Sequence, residues 1–261
     1  MISKNPKQQI MPTATVHQIR LRLFQATRRP KHISREIVTA WGKVRVVGKL
    51  GQTHADLLEA MLKEAERKAF VHDTDGNTRI KLLVDPAKAK KTARQRSGST
   101  LKCILQELMS ALIEIMEPEE LRCIGHLIDH VDIATRRDGT HITRPNPLGG
   151  EREMWRVIIG QAAMRLIEQD LRLYYNPAPI ARLRHGISQA VARMVLSHNT
   201  QKLPKNGWKL DTLLQQVCGH LTPGQLRDRR REVRADAQYL AKLGIVLELN
   251  TQRIYYKSDA A

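Results

Sequence analysis

The run PGQLRDRRREVRADAQYLAKLG, residues 223–244, places five arginines in the first half of one predicted helix. At about 100° per residue, Arg227, Arg231 and Arg234 share a face at i, i+4 and i+7, and Gln238 continues the line. A guanidinium is planar, permanently charged and carries a fork of donors. A row of them therefore suits phosphate oxygens and the O6 and N7 atoms of guanine in a major groove. Leu226, Val233, Ala237 and Leu240 fall on a second face, the stripe that a core would take. Asp228, Glu232 and Asp236 form a third, expected to pair with neighbouring arginines or to meet water.

A second basic stretch spans residues 86–106, where Lys88, Lys90, Lys91, Arg94, Arg96 and Lys102 occur without a single acid. The break at Ser97-Gly98-Ser99 predicts a short basic helix followed by a second helix over residues 100–115. Leu101, Ile104, Leu105, Leu108 and Leu112 of that helix point inward. Helix, Gly-containing turn, helix is the order of a helix-turn-helix. These side chains are candidates for phosphate contact. Other chemistry is weakly supported. Cys123, His126 and His130 are spaced for zinc but lack an evident fourth ligand. The pairs Tyr174-Tyr175 and Tyr255-Tyr256 raise a strand-nicking nucleophile, yet no His-x-His occurs to hold its metal, and no G-x-x-x-x-G-K-[ST] loop occurs for a nucleotide. No enzyme and no cofactor are expected.

The elements that position these residues repeat. In the first half a strand near residues 41–46 precedes a helix over residues 53–68 with Leu57, Leu58, Met61, Leu62 and Ala65 inward. An Asp75-Gly76 turn, a strand at residues 79–84, the two basic helices, and strands at residues 122–134 and 155–159 follow, the last two flanking an Asp138-Gly139 turn. In the second half short helices near residues 162–169 and 179–185 lead to helices at 188–198 and 210–217, the arginine helix and a hairpin at 245–256. The fold class expected is α+β, two tandem winged-helix domains after a flexible basic N-terminal arm. The arm covers residues 1–40, the first domain 41–150 and the second 151–261, divided at the cluster Pro145, Pro147, Gly149, Gly150.

Composition agrees with a polyanionic partner. The 261 residues hold 44 Lys+Arg against 26 Asp+Glu, a formal charge of +18, and residues 1–50 carry five lysines and six arginines against Glu36 alone. Aromatics amount to 4%, too few for the base-stacking platforms of single-strand and RNA binders. No apolar run reaches the roughly 18 residues of a membrane span, and three scattered cysteines make no disulfide framework. A bacterial cytoplasmic location is expected.

The runs LYYNPAPIARLRHGISQAVARMVLSH, WKLDTLLQQVCGH and LRDRRREVRADAQYLAKLG resemble the C-terminal winged helix of broad-host-range plasmid replication initiators. LGQTHADLLEAML, RIKLLVD and GSTLKCILQELMSALIEI resemble the matching pieces of their N-terminal winged helix. The resemblance spans about residues 45–257 and implies binding to repeated origin sites, melting of an adjacent AT-rich segment, contacts with host replication factors and a homodimer that represses its own gene. It implies Arg227, Arg230, Arg231 and Arg234 as contacts from the second recognition helix, and Ser99, Thr100, Lys102 and Gln106 from the first. Some plasmid transcriptional repressors share the scaffold and are the alternative reading.

Overall fold

The computed structural model describes residues 12–39, 42–72, 78–117, 120–147, 149–168, 172–198, 204 and 206–257. The chain opens with β1 (Ala14–Thr15), α1 (Val16–Arg20), β2 (Ile33–Val38), β3 (Lys43–Gly48) and α2 (Gln52–Glu64). Then come β4 (Arg67–His72), β5 (Thr78–Val84), α3 (Pro86–Thr92), α4 (Gly98–Ser110), β6 (Leu112–Glu117), β7 (Glu120–Gly125) and β8 (Ile128–Ile133). A small hairpin, β9 (Thr143–Pro145) and β10 (Glu151–Glu153), precedes β11 (Trp155–Ile159), α5 (Gln161–Glu168) and β12 (Arg172–Leu173). The remainder is α6 (Pro177–Ala181), α7 (Gly186–Leu196), β13 (Trp208–Lys209), α8 (Leu210–Cys218), α9 (Pro223–Ala235), α10 (Ala237–Ala241), β14 (Ile245–Glu248) and β15 (Arg253–Tyr256).

Two parts of this mixed α+β chain share one topology. In the second, α7, β13, α8, α9, β14 and β15 follow in order, and the sheet runs β13-β15-β14, all antiparallel. In the first, α2, β5, α3, α4, β8 and β11 follow in the same order, and the sheet runs β5-β11-β8 with β4 added at its edge. The last strand thus returns to the middle of the sheet in both. The first part also inserts β6 and β7, which join β2 and β3 in a separate four-stranded sheet. This insertion corrects two sequence expectations. α4 stops at Ser110, because Ile113 and Ile115 alternate inward as a strand beside Val44 and Val46. The single strand expected at 122–134 is two strands in different sheets.

Two hydrophobic cores form. The first gathers Val46, Leu58, Met61, Ile80, Leu108 and Ile113; the second gathers Ile187, Val191, Leu213, Val233, Leu240 and Ile254. Val157 and Ile159 of β11, and Ala162, Met164 and Leu166 of α5, belong to the first core. The boundary expected at residues 150/151 therefore falls at the turn of the β9–β10 hairpin, and the two cores part between Ile167 and Ile180. A Pro/Gly cluster marks a turn equally well inside a domain or between two.

The free arm expected over residues 1–40 is corrected from Pro12 onward; residues 1–11 and 40 lie outside the described residues. Leu21 and Leu23 enter the first core, Ala26 the second, β1 pairs with β12, and β2 is a full strand of a sheet. Between them the backbone at Thr27 and Arg28 is gripped from both sides. A Cβ at Gly51 would come 2.6 Å from the Thr27 carbonyl oxygen, and one at Gly186 would come 2.6 Å from the Arg28 nitrogen. Basic composition hid these few apolar anchors, which lack a period.

The helix expected to run unbroken past Leu240 ends at Ala235, and Asp236 separates α9 from α10. Asp236 neither meets water nor pairs with an arginine. It is 1% exposed and accepts from the backbone N–H groups of Arg184 and His185, at 3.2 and 2.9 Å, and meets His185 Nδ1 at 3.1 Å. One carboxylate thus joins the arginine helix to the start of α7. Asp236→Ala is expected to destabilise the protein by about 1–3 kcal/mol for each backbone donor it strands. Asp236→Asn, which keeps an acceptor, should lose less, and thermal unfolding of the two variants checks the order.

Candidate nucleic-acid interface

α9 begins with a capping box. Thr222 Oγ1 accepts from the Gln225 N–H at 3.3 Å, Gln225 Oε1 accepts from the Thr222 N–H at 3.0 Å, and Pro223 occupies the first turn. Gly219, with φ of +84°, ends α8 and makes the turn between the helices possible. Val233 is buried and Leu226 packs on the second core, so the opposite face is turned outward. Arg227, Arg231 and Arg234 are exposed on it. The Arg231 side chain is 81% exposed, and its 3.6 Å pair with Asp228 is a solvent-facing contact that water and salt screen. Arg234 Nη2 donates to Gln252 Oε1 at 2.7 Å, tying the row to the β14–β15 turn. Gln238 is exposed but sits on α10, beyond the break.

Arg230 is placed differently. Its Nε donates to Asp211 Oδ1 of α8 at 2.6 Å, a two-pronged pair in which the guanidinium holds the Asp211 carboxyl below its ordinary range. The fork is thereby directed at α8 and braces the two helices. A double-mutant cycle on Asp211 and Arg230 is expected to return a coupling of about 0.5–1 kcal/mol in urea unfolding, because both partners are partly solvated.

The first part presents the equivalent helix α4, capped by Ser97, whose Oγ accepts from the Thr100 N–H at 3.1 Å. Ser99, Thr100, Lys102 and Gln106 are exposed on one side, while Leu101, Ile104, Leu105 and Leu108 are buried on the other. On α3, Lys91 is exposed, Lys90 half-buried, and Lys88 Nζ lies 3.1 Å from Glu66. Arg94 adopts the left-handed backbone, φ +53°, and Arg96 is exposed in the turn before α4. Arg94 Nη1 reaches across to the Arg182 carbonyl at 2.7 Å.

Between the two parts lies a cleft of about 880 Å³, whose walls carry Arg28, Arg29, Arg94, Arg96, Arg184 and Arg229. A neighbouring cavity of about 470 Å³ shares four of these and adds Arg182. Sequence reasoning missed Arg28, Arg29, Arg182, Arg184 and Arg229 as a group, since they come from three stretches of chain that only the fold brings together.

The two parts are joined beneath the cleft by a buried polar cluster. Arg193 of α7 donates from Nε to Glu59 Oε1 at 2.7 Å, from Nη2 to Asp56 Oδ1 at 2.8 Å and from Nη1 to Gln52 Oε1 at 2.7 Å, all three acceptors lying on α2. Gln189 Nε2 donates to Asp56 at 3.1 Å and the Tyr175 hydroxyl to Glu59 at 2.8 Å. Burial alone would lower the proton affinity of Arg193, but the Glu59 and Asp56 charges outweigh it and hold the pKa well above the usual value. Burial raises Asp56, partly offset by Arg193.

No family model matches the chain, and no curated protein sequence matches it. One solved structure, a crystal structure of RctB domains 2-3, superposes with a TM-score of 0.47 at 10% identity, over 85% of this chain and 84% of that one. At that distance the likeness bears on neither family nor activity.

The remaining candidate groups are dispersed. His126 Nδ1 lies 3.0 Å from the Ala111 carbonyl, His130 Nε2 lies 3.4 Å from Asp132, and burial pushes the Cys123 thiol up. Among the described residues no three His, Cys, Asp or Glu are grouped to hold a metal ion. The Tyr175 hydroxyl is taken up by Glu59, and the Tyr255 hydroxyl donates to Glu248 at 3.3 Å. Among the described residues, no helix is long and apolar enough to cross a membrane.

Proposed function

We propose that this chain is a sequence-specific binder of double-stranded DNA, built of two tandem winged-helix domains, that initiates plasmid replication by binding repeated origin sites. One observation carries the reading. Two parts with the same element order and the same sheet order each expose a capped helix with its apolar back in a core, α9 carrying a row of arginines and α4 following the basic stretch from Lys88 to Arg96, and an arginine-lined cleft joins them. In that arrangement α4 and α9 are the helices offered to the major groove, and the β8–β11 and β14–β15 connections are the wings. The residues proposed to touch DNA are Arg227, Arg231, Arg234 and Gln238, with Lys91, Arg94, Arg96, Ser99, Thr100, Lys102 and Gln106 from the first part. Lys88 and Lys90 stand behind them as supporting charge, and Arg230 as a brace. The chain supplies binding energy and performs no covalent step. It acts in the bacterial cytoplasm, with host replication proteins and a second copy of itself as further partners.

Linking two readers raises the effective concentration of each for its own groove, so affinity exceeds that of either alone. Selection of bound duplexes from a random pool tests the reading. Direct repeats are expected, followed by melting of an adjacent AT-rich segment on supercoiled template. A lone inverted repeat with no melting would instead mark a repressor on the same scaffold. Absence of any duplex preference would end the reading altogether.

A further inference from the structure

We infer that the cleft between the two parts is a third DNA contact, a clamp for the phosphodiester backbone between the two grooves, to which the segment at residues 26–29 contributes. The inference rests on the duplex-binding reading above and assigns residues that neither groove-facing helix contains. Arg29, Arg96, Arg182 and Arg184 are exposed around this opening, and none has a carboxylate partner among the described residues. The two carboxylates in the walls are already engaged. Glu232 is held by Arg229 at 2.7 Å, and Asp236 by the amides that start α7.

Unpaired guanidiniums gathered around one opening repel, and among the described residues no carboxylate neutralises them. A polyanion does. The shape narrows the class of ligand. The opening is broad and polar, and is lined both by the turn that precedes α4 and by Arg229 and Glu232 of α9, which sets it beside the two helices that would engage a duplex. Phosphate recognition needs charge and forked donors but no particular base, and these arginines come from loops and helix ends that present charge without an ordered row of base-edge donors. The fixed backbone matters equally. Gly51 and Gly186 pack closely against the backbone at Thr27 and Arg28, which fixes the chain that leads to Arg29.

The experiment compares the full-length protein with an Arg29→Ala, Arg182→Ala, Arg184→Ala triple variant. The probes are a duplex selected by the wild-type protein and an unrelated duplex of equal length, titrated from 50 to 200 mM salt. Each neutralised phosphate contributes about 0.9 to the salt slope. The variant is therefore expected to show a slope lower by about 2.7, and so a salt-induced loss of affinity about 40-fold smaller over that range. Its ratio of selected to unrelated binding should stay that of the wild type, and Arg-to-Lys replacements at the three positions should restore the slope. An unchanged slope overturns the clamp while leaving the duplex-binding reading standing, and so does a collapse of the sequence preference. A wild-type protein that binds neither duplex overturns both.

Discussion

Arg193→Ala is expected to cost about 3–5 kcal/mol of stability at neutral pH, the usual penalty for removing one member of a buried charge cluster. Arg193 is 3% exposed, and without it Asp56 and Glu59, at 0% and 4%, face each other inside the protein. The loss should depend on pH in a defined direction. Burial already raises Asp56, and without Arg193 that rise grows, so its folded-state pKa lies further above the unfolded value of about 3.9. A group whose folded pKa is raised penalises the fold fully above that pKa, and the penalty falls away as pH drops from the folded toward the unfolded value. The deficit of the variant relative to wild type is thus expected to shrink between pH 7.5 and pH 5. Urea unfolding at the two pH values measures it; a constant deficit would show that Asp56 stays ionised in the folded variant at both, with no rise into that range. Because the cluster also fixes α7 against α2, the variant should bind a two-site duplex with less of the advantage that linkage confers.

The second large effect is expected on the outward row of α9. Arg231→Ala should weaken binding to the selected duplex by about 1–3 kcal/mol and relax the preference at one base pair, the value of a forked contact to guanine. Combined replacement of Arg227, Arg231 and Arg234 should reduce binding to the level of unrelated duplex. Arg230→Ala supplies the contrast. Its fork is taken up by Asp211, so the variant should unfold earlier while keeping the wild-type base preferences. Selection profiles for the four proteins decide between these outcomes, and a loss of base preference in Arg230→Ala with none in Arg231→Ala would invert the assignment of the face.

The helices and the closing hairpin expected from residue 188 onward occur in that order, from α7 to β15. Where elements were misjudged, a local signal was satisfied by two structures. Leu112, Ile113 and Ile115 continue a helical stripe in sequence, yet they meet Val44 and Val46 as a strand. Residues 162–169 were placed in the second domain, whereas their side chains fill the first core. A short amphipathic helix does not record which core it faces.

The sequence by itself determined the two outward helices and their apolar backs, because periodicity and Gly or Pro stops act within a few residues of each other. It also determined the excess of positive charge. Only the tertiary structure decided which of those charges remain free. Arg230 and Arg231 are adjacent and chemically identical, but one finds Asp211 on a neighbouring helix and the other finds solvent. Asp236 reads in sequence as one of an ordinary acidic face, yet it, Asp56 and Glu59 are all buried, each met by a partner more than 50 positions away. The arginine cleft belongs to the same class of fact. Ion pairing depends on distances of a few ångströms between segments remote in sequence, and such distances exist only once the cores have closed.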